Sequence, residues 1–234
     1  MDMTDSTANP AGEPAPIAPS EMTLDELREA LAPVLPMHAA FDGWGEAALA
    51  QAADELGVPA DRARLAFPGG AIDMIDAWFA SIDAEMAVRA PAPMLRARKV
   101  RDRITRLIAA RLDAMEIHRE ALRRALAILA MPQNAPRAAR LGWRAADGMW
   151  RLAGDTAVDL SFYTKRLTLA GVYAATLLVF VDDQTENFAD TRAFLDRRIA
   201  GVMRFEKLKA QLKPDPDRMF SPVRFLGRLR YPAS

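Results

Sequence analysis

Few residues in this sequence have the type and spacing that acid–base, nucleophilic or metal chemistry requires. The chain of 234 residues contains no cysteine and two histidines, His38 and His118. Without cysteine there are no disulfides, thiol nucleophiles, iron–sulfur clusters or cysteine-based zinc sites. His118 follows Glu116 by two residues, whereas a di-iron helix needs Glu-x-x-His to place both ligands on one face. We therefore expect no metal site, and a structural role for His118.

Asp147, Asp155 and Asp159 are the remaining candidates for acid–base chemistry. They lie around Gly154, where one helix is expected to end and the next to begin. Aspartates at such positions commonly accept hydrogen bonds from the free N–H groups of a helix start. We interpret these carboxylates as structural caps, with an enzyme of unrecognised site as the competing hypothesis.

The rest of the sequence predicts an all-α protein of about nine or ten helices. It is 51% hydrophobic and 26% charged, with zero formal net charge. Prolines divide residues 21–80 into short helices, whereas residues 94–130 contain neither proline nor glycine, so a turn is expected near residues 113–116. Residues 167–181 are uncharged. Because a bilayer span needs about 20 apolar residues, we expect a buried core helix there.

Composition also divides the chain into four segments. Residues 1–20 are rich in proline, alanine, serine and threonine and predict a disordered tail, without the features of a signal or transit peptide. Residues 21–80 predict a helix-turn-helix-like part, and residues 81–213 a ligand-binding helical domain. Residues 214–234 predict an amphipathic C-terminal membrane-binding segment.

The N-terminal helices have the spacing of a helix-turn-helix. A helix before Gly57 is followed by a short second helix and a Phe-Pro-Gly-Gly corner, and this order resembles the TetR regulator fold. A DNA-reading helix should carry free cations. Here Arg62 and Arg64 are expected to face Asp54, Glu55 and Asp61, so we expect a scaffold that binds no nucleic acid. The alternative is a TetR-like DNA-binding transcriptional regulator with an apolar effector pocket.

The strongest sequence signal lies in residues 142–199. It consists of uncommon residues in a fixed order: Trp143, Asp147, Trp150, Ala153-Gly154-Asp155, Asp159, Tyr163-Thr164-Lys165-Arg166, Leu169, Val172-Tyr173, Asp182 and Phe194-Leu195-Asp196-Arg197-Arg198. This order resembles the ubiquinone-biosynthesis lipid-binding accessory family, whose members have a TetR-like fold and lack DNA binding. With Lys99-Val100-Arg101 and Arg111-Leu112 the resemblance covers roughly residues 25–212, and the lack of a recognisable targeting segment favours a bacterial-type member.

The resemblance implies a protein that is not an enzyme and has no catalytic residue, metal or cofactor. Members of the family hold an isoprenoid quinone intermediate, or another lipid, in an apolar pocket. They present it to the di-iron demethoxyubiquinone hydroxylase or an equivalent enzyme. For this chain the resemblance further implies a homodimer in the cytoplasm, associated peripherally with the inner membrane.

Apolar residues at helical spacing are the candidates for a lipid pocket, because each buried CH₂ of a polyprenyl tail contributes about 0.8 kcal/mol. The candidates are Leu107, Ile108, Leu112, Met115, Leu126, Leu129, Met149, Trp150, Tyr173 and Leu177. The alternative is that each is an ordinary core residue.

The resemblance places a partner-binding patch at the start of the helix that follows Gly154. It transfers to Asp159, Phe162, Tyr163 and Arg166 of this chain. Neighbouring residues on a helix point about 100° apart, so one of the two aromatic rings is expected near the surface. The alternative is a capped helix start with a hydrogen-bonded tyrosine.

Two segments concentrate positive charge in this neutral chain. From Lys207 onward, seven Lys/Arg face two Asp, and the candidate membrane-binding residues are Phe220, Val223, Arg224, Phe225, Leu226, Arg228 and Leu229. The alternatives are a docked helix or a solvated tail. Residues 94–124 carry ten Lys/Arg against four Asp/Glu, which is typical of a solvated helix face, with a membrane or partner contact as the alternative.

Overall fold

The computed structural model describes residues 18–158 and 160–212, with residues 205–212 by their backbone alone. These residues form eleven α-helices and no strand, which confirms the predicted all-α class. The first six are α1 (Leu24–Leu31), α2 (Leu35–Asp42), α3 (Glu46–Glu55), α4 (Ala60–Ala66), α5 (Ala71–Arg89) and α6 (Ala92–Arg96). The other five are α7 (Val100–Met115), α8 (Arg119–Leu129), α9 (Ala135–Leu152), α10 (Leu160–Asp182) and α11 (Ala189–Leu212).

A 3₁₀ turn, Glu116–His118, separates α7 from α8 close to the position that the sequence predicts. His118 at the end of this turn is half-buried, and its ring meets the edge of Trp78 at 6.3 Å between centroids. Burial lowers the pKa of His118 against the opposing charge of Glu85. The imidazole therefore packs as a neutral group, as its expected structural role requires.

The residues up to Asp182 and those from Asp183 form two separate compact units. In the first unit, α1 begins with a capping box in which Thr23 and Glu26 each satisfy a backbone N–H of the other. α1 packs on α4, and α2 packs on α3 and α8. The helix-turn-helix geometry follows from Gly57, whose φ of 65° ends α3 in a conformation that residues with a Cβ rarely adopt.

The core of the first unit is built from α5, α7, α8, α9 and α10, which pack on one another. Trp78 of α5 is fully buried and stacks near Trp44 at 5.3 Å between ring centroids. The indole N–H of Trp44 donates to the carbonyl of Ala121 on α8 at 2.9 Å, which ties the helix-turn-helix-like part to the bundle. α9 ends at Leu152, and Gly154 with a φ of 83° completes the predicted helix end.

The second unit is organised by one buried carboxylate. Asp183 accepts hydrogen bonds from the backbone N–H and the hydroxyl of Thr185 and of Thr191, at 2.5–2.8 Å. These bonds join the 3₁₀ turn Glu186–Phe188 to the first turn of α11. Burial alone would raise the pKa of Asp183, but the hydrogen bonds from the two threonines outweigh it and hold the pKa far below its ordinary value.

Candidate functional site

Three aromatic rings from α9 and α10 meet near the surface of the first unit. Trp143 lies 6.2 Å from Phe162 and 6.0 Å from Tyr163, and the last two rings meet edge to face at 5.1 Å. Tyr163 is 56% exposed, whereas Trp143 and Phe162 are half-buried. We call Trp143, Phe162 and Tyr163 the aromatic patch. The expectation that one of the two adjacent aromatic rings lies near the surface is met by Tyr163.

A buried guanidinium supports the aromatic patch from below. Arg166 is 2% exposed and donates to Asp147 at 2.6 Å, to Asp155 at 3.1 Å and to the carbonyl of Phe162 at 3.1 Å. Its side chain also lies over the ring of Phe162, with 3.4 Å from Cζ to the ring centroid. Arg166 therefore does not present its charge to a partner. It fixes the position of Phe162.

Asp147 and Asp155, the two of these three carboxylates that the structure describes, are ion-pair partners and not the helix caps that the sequence predicts. Asp155 accepts from Lys165 at 2.7 Å as well as from Arg166, and Lys165 in turn lies 5.4 Å from the ring of Trp150. Burial alone would raise the pKa of Asp155, but the hydrogen bonds of the two cations outweigh it and lower the pKa. Both carboxylates are thus engaged by cations, Asp147 by Arg151 and Arg166 and Asp155 by Lys165 and Arg166.

α10, which carries Phe162 and Tyr163 of the aromatic patch, is only partly buried. The sequence predicts a buried core helix at this position. Leu169, Tyr173, Leu177, Phe180 and Val181 are buried. Leu160, Tyr163, Leu167 and Leu178 are exposed on another face of the same helix. α10 is the one described helix whose length and composition would allow it to cross a membrane, with 39% of its apolar window buried. α10 therefore combines a core face with an exposed, uncharged face.

The predicted lipid-binding residues all lie in the interior of the first unit or at its margin. Eight of them are buried and the other two half-buried; the buried ones are Leu107, Ile108, Leu112, Met115, Leu129, Met149, Tyr173 and Leu177, and the half-buried ones are Leu126 and Trp150. They come from α7, α8, α9 and α10. Whether they hold a lipid or form an ordinary core stays a prediction.

A polar network crosses this apolar interior. Arg111 is fully buried and donates to the hydroxyl of Tyr173 at 2.9 Å and to Asp83, and its guanidinium lies 4.9 Å from the Tyr173 ring. Arg144 of α9 also binds Asp83, at 3.2 Å. Burial disfavours the charge of Arg111, but Tyr173 and Asp83 outweigh burial and raise its pKa. Burial raises the pKa of Tyr173. Both groups therefore keep their protons.

This network was not predicted from the sequence, although a signal was present. Arg111 stands between Ile108 and Leu112 in an apolar stripe, where a charged residue must find a buried partner. The partner Asp83 is 28 residues away, so local sequence could not identify it. The network reaches an open groove of about 650 Å³ whose lining includes Arg28 of α1, Asp76 and Ser81 of α5 and Arg144 of α9. None of the predicted lipid-binding residues lines this groove.

Two groups of predicted site residues lie outside the described residues. Asp159 of the predicted partner patch is one, and the membrane-binding candidates between Phe220 and Leu229 are the other. Within the residues that the structure describes, no group of three or more carboxylates and histidines is placed to hold a metal ion.

Comparison with solved structures defines the class of fold. The TetR transcriptional regulator from Nitrosomonas europaea ATCC 19718 superposes with a TM-score of 0.61 at 26% sequence identity, over 76% of this chain and 99% of that one. The fold is therefore TetR-like, as the helix order predicts.

Comparison of sequences then gives the family. Residues 135–206 match the COQ9 family model, so α9, α10 and most of α11 are a COQ9-family region, and the predicted resemblance is confirmed. The rat protein named "Ubiquinone biosynthesis protein COQ9, mitochondrial" is 43% identical over 90 residues, which are 38% of this chain and 29% of the relative. The human protein is 39% identical over 38% of this chain and 28% of its own length. The Drosophila melanogaster protein is 24% identical over 80% of this chain and 59% of the relative.

Proposed function

We propose that this chain is a non-catalytic accessory protein of ubiquinone biosynthesis. It binds an isoprenoid quinone intermediate in its apolar interior and presents it to a late-step hydroxylase at a membrane. The observation that carries the proposal is the position of the COQ9 match, because residues 135–206 contain the aromatic patch and the buried Arg166 beneath it. The names of the relatives supply the pathway and the mitochondrial location of those proteins.

The interior of the first unit supports a lipid ligand on physical grounds. Four helices contribute long apolar side chains there, and Met115 and Met149 among them are fully buried and flexible enough to adapt to a ligand. Each CH₂ of a polyprenyl tail gains about 0.8 kcal/mol on leaving water, so a few isoprene units outweigh a modest rearrangement of the helices. No polar chemistry is needed to hold the tail.

The Arg111–Tyr173 pair supports a position for the quinone head. The hydroxyl of Tyr173 accepts from Arg111 and donates to no other described residue. The phenol of Tyr173 has one proton to donate, and the carbonyl oxygen of a quinone can only accept a hydrogen bond. The buried hydroxyl is therefore suited to receive a ring oxygen at the polar end of an otherwise apolar site.

The aromatic patch supports the partner interaction. Exposed Tyr163 beside half-buried Trp143 and Phe162 has the composition of an interface hot spot, since aromatic residues contribute large, rigid contact areas. The neighbouring exposed Leu160 and Leu167 extend the apolar surface along α10. We assign this face to the hydroxylase. Homodimer formation and peripheral association with the inner membrane are further parts of the proposal.

Deleting the protein from its source organism distinguishes the accessory function from transcriptional regulation. Deleting the gene should lower ubiquinone and accumulate the precursor that awaits hydroxylation, without changing transcription of the pathway genes. Restoring the wild-type chain should reverse both changes. Normal ubiquinone in the deletion strain would contradict the proposal, and so would a loss of ubiquinone explained by altered transcript levels.

DNA-binding regulation is the second candidate, because the TetR regulator matches this chain over 99% of its own length. The cations of α4 argue against it. Arg62 donates to the carbonyls of Pro19, Ser20 and Met22, and Arg64 pairs with Glu46 at 2.6 Å. Both guanidinium groups are engaged within the protein: of the three predicted partners, Asp61 pairs with Arg64 at 3.5 Å, whereas Asp54 and Glu55 pair with neither arginine. A gel-shift titration with genomic fragments decides between the two candidates, since the accessory function predicts no salt-sensitive shift.

A further inference from the structure

One end of the helical bundle concentrates positive charge. α5 ends there, and α6 and the first turns of α7 follow. Residues 94–106 contain one acidic residue, Asp102, and six basic ones, a net charge of +5: Arg96, Arg98, Lys99, Arg101, Arg103 and Arg106. All of these except the half-buried Arg103 are exposed. We call these six residues the cationic end.

Arg103 holds the cationic end in one arrangement. Its guanidinium donates to the carbonyl of Arg98 at 2.8 Å, of Arg96 at 2.9 Å and of Ala153 at 2.7 Å. The first two bonds fix the loop before α7, and the third joins that loop to the segment between α9 and α10. Ala153 and Gly154 therefore lie beside the cationic end. The surface is built on ordered backbone and not on a free chain.

Exposed apolar side chains are interleaved with these cations. Val100 stands between Lys99 and Arg101, Met94 lies two residues before Arg96, and Val88 is exposed near the end of α5. From the adjoining segment, Val158 is 95% exposed and Leu160 is 80% exposed. Five exposed apolar residues thus lie on the segments that form or adjoin this basic cluster, and apolar surface bordered by polar residues is typical of interaction sites.

Three cations of the cationic end have no acidic partner within the described part of the chain. Arg96, Arg98 and Lys99 form no salt bridge with another described residue. Residues 153–160 add Asp155 and Asp159, so the two segments together keep a net charge of +3. Asp155 already pairs with Lys165 and Arg166. An anionic surface would find complementary charge here.

We propose that the cationic end docks on an anionic phospholipid membrane, with Val100 and Val158 entering the interface between the headgroups. Basic side chains near an anionic leaflet and apolar side chains inserted beside them are the two contributions to peripheral binding. Nucleic acid would use the cations but has no place for the valines. The cationic end is also remote from the helix-turn-helix, since the 19 residues of α5 that lead from one to the other extend about 28 Å. This docking surface rests on the peripheral membrane association in the proposed function, but its tests need neither quinone nor hydroxylase, so the two can fail separately.

A site-specific label tests the insertion. The chain has no cysteine, so a single Val158→Cys substitution in the full-length protein can carry an environment-sensitive fluorophore. The matched control is Ile117→Cys, which is 86% exposed but lies beyond the opposite end of α7, about 24 Å away. On vesicles of equal parts phosphatidylcholine and phosphatidylglycerol, the 158 label should shift to the blue while the 117 label does not. Neither label shifting, or both shifting equally, overturns the proposal.

Charge substitution tests the electrostatic part. Replacing Arg96, Arg98 and Lys99 by Gln should weaken binding to the same vesicles on the order of 100-fold, about fivefold for each cation. Replacing Arg140, Arg192 and Arg197 by Gln removes the same charge from exposed positions elsewhere and should have a much smaller effect. Equal losses for the two variants overturn the proposal. If the variant with Gln at 96, 98 and 99 loses DNA binding but keeps vesicle binding, the membrane proposal is overturned in favour of a nucleic-acid surface.

Discussion

The guanidinium of Arg166 lies against the ring of Phe162, with Cζ 3.4 Å from the ring centroid, while the same group binds Asp147 and Asp155. A buried cation is thus shared between two carboxylates and an aromatic ring one helical turn away. Through this contact, an arginine that is only 2% exposed supports a ring at the surface. It orders the half-buried ring against which the exposed Tyr163 packs.

Removing Arg166 should destabilise the protein strongly. An Arg166→Ala substitution leaves Asp147 and Asp155 without their buried cation, and breaking such a buried pair costs about 3–5 kcal/mol. Arg151 provides the matched control, because it pairs with the same Asp147 at 2.8 Å but is 74% exposed. Arg151→Ala should cost less than about 1 kcal/mol. Urea unfolding measures both variants, and similar losses of stability for the two would show that the buried ion pairs of Arg166 contribute no more than a surface pair.

Removing the exposed tyrosine should affect the partner and not the fold. Tyr163→Ala deletes a ring that is mostly in water, so the free energy of unfolding should change little. A hot-spot contribution of about 2 kcal/mol corresponds to a roughly 30-fold weaker Kd for the hydroxylase. Leu178→Ala, exposed at the far end of the same helix, is the control. Isothermal titration gives both affinities, and an unchanged Kd for Tyr163→Ala would remove the aromatic patch from the interface.

Asp183 should make the stability of the second unit dependent on acid pH. Its pKa in the folded protein lies below the ordinary value of 3.8, so the ionised form stabilises the fold above that value. This contribution is lost as the pH falls through the folded-state pKa. Asp183→Asn should cost about 1–3 kcal/mol near pH 7 and progressively less below about pH 4. Urea unfolding as a function of pH tests this, and a difference between the two proteins that stays constant with pH would contradict it.

The C-terminal segment should add to membrane binding independently of the cationic end. Replacing Arg224, Arg228 and Arg230 by Gln removes three charges from the predicted amphipathic segment, at about 1 kcal/mol for each cation near an anionic surface. Sedimentation with anionic vesicles should then show a large loss of binding. The variant with Gln at 140, 192 and 197 again serves as the control. Unchanged sedimentation of the C-terminal variant would rule out a membrane role for that segment.

Local sequence determined the helices well but could not determine their long-range partners. Gly57 and Gly154 end helices where the sequence predicts, because a positive φ is a local requirement. Arg166 was assigned to a partner-binding patch and is buried, since it pairs with Asp147, which lies 19 residues earlier on α9. The Arg111–Asp83 pair was not predicted for the same reason, since its two residues are 28 positions apart. Helical periodicity identifies which residues are apolar, but packing decides which of them meet.

The extent of burial along α10 could also not be predicted from the sequence. Residues 167–181 carry no charge, and composition alone suggests burial on every face. The structure leaves Leu167 and Leu178 exposed while Leu169 and Leu177 are buried. The sequence of an uncharged helix does not indicate which face will be buried, because no charged residues mark the solvent-exposed face. The exposed face of α10 therefore became visible only with the fold.

Identifying the lipid that co-purifies with the protein is the most direct test of the proposed function. The full-length chain, purified without detergent, would be extracted with organic solvent and the extract analysed by mass spectrometry against a matched volume of wash buffer. The proposal predicts an isoprenoid quinone intermediate in a constant ratio to protein, and a lower ratio for Tyr173→Phe, which lacks the hydroxyl offered to the quinone head. A protein that carries no isoprenoid quinone, even when supplied with one, would contradict it.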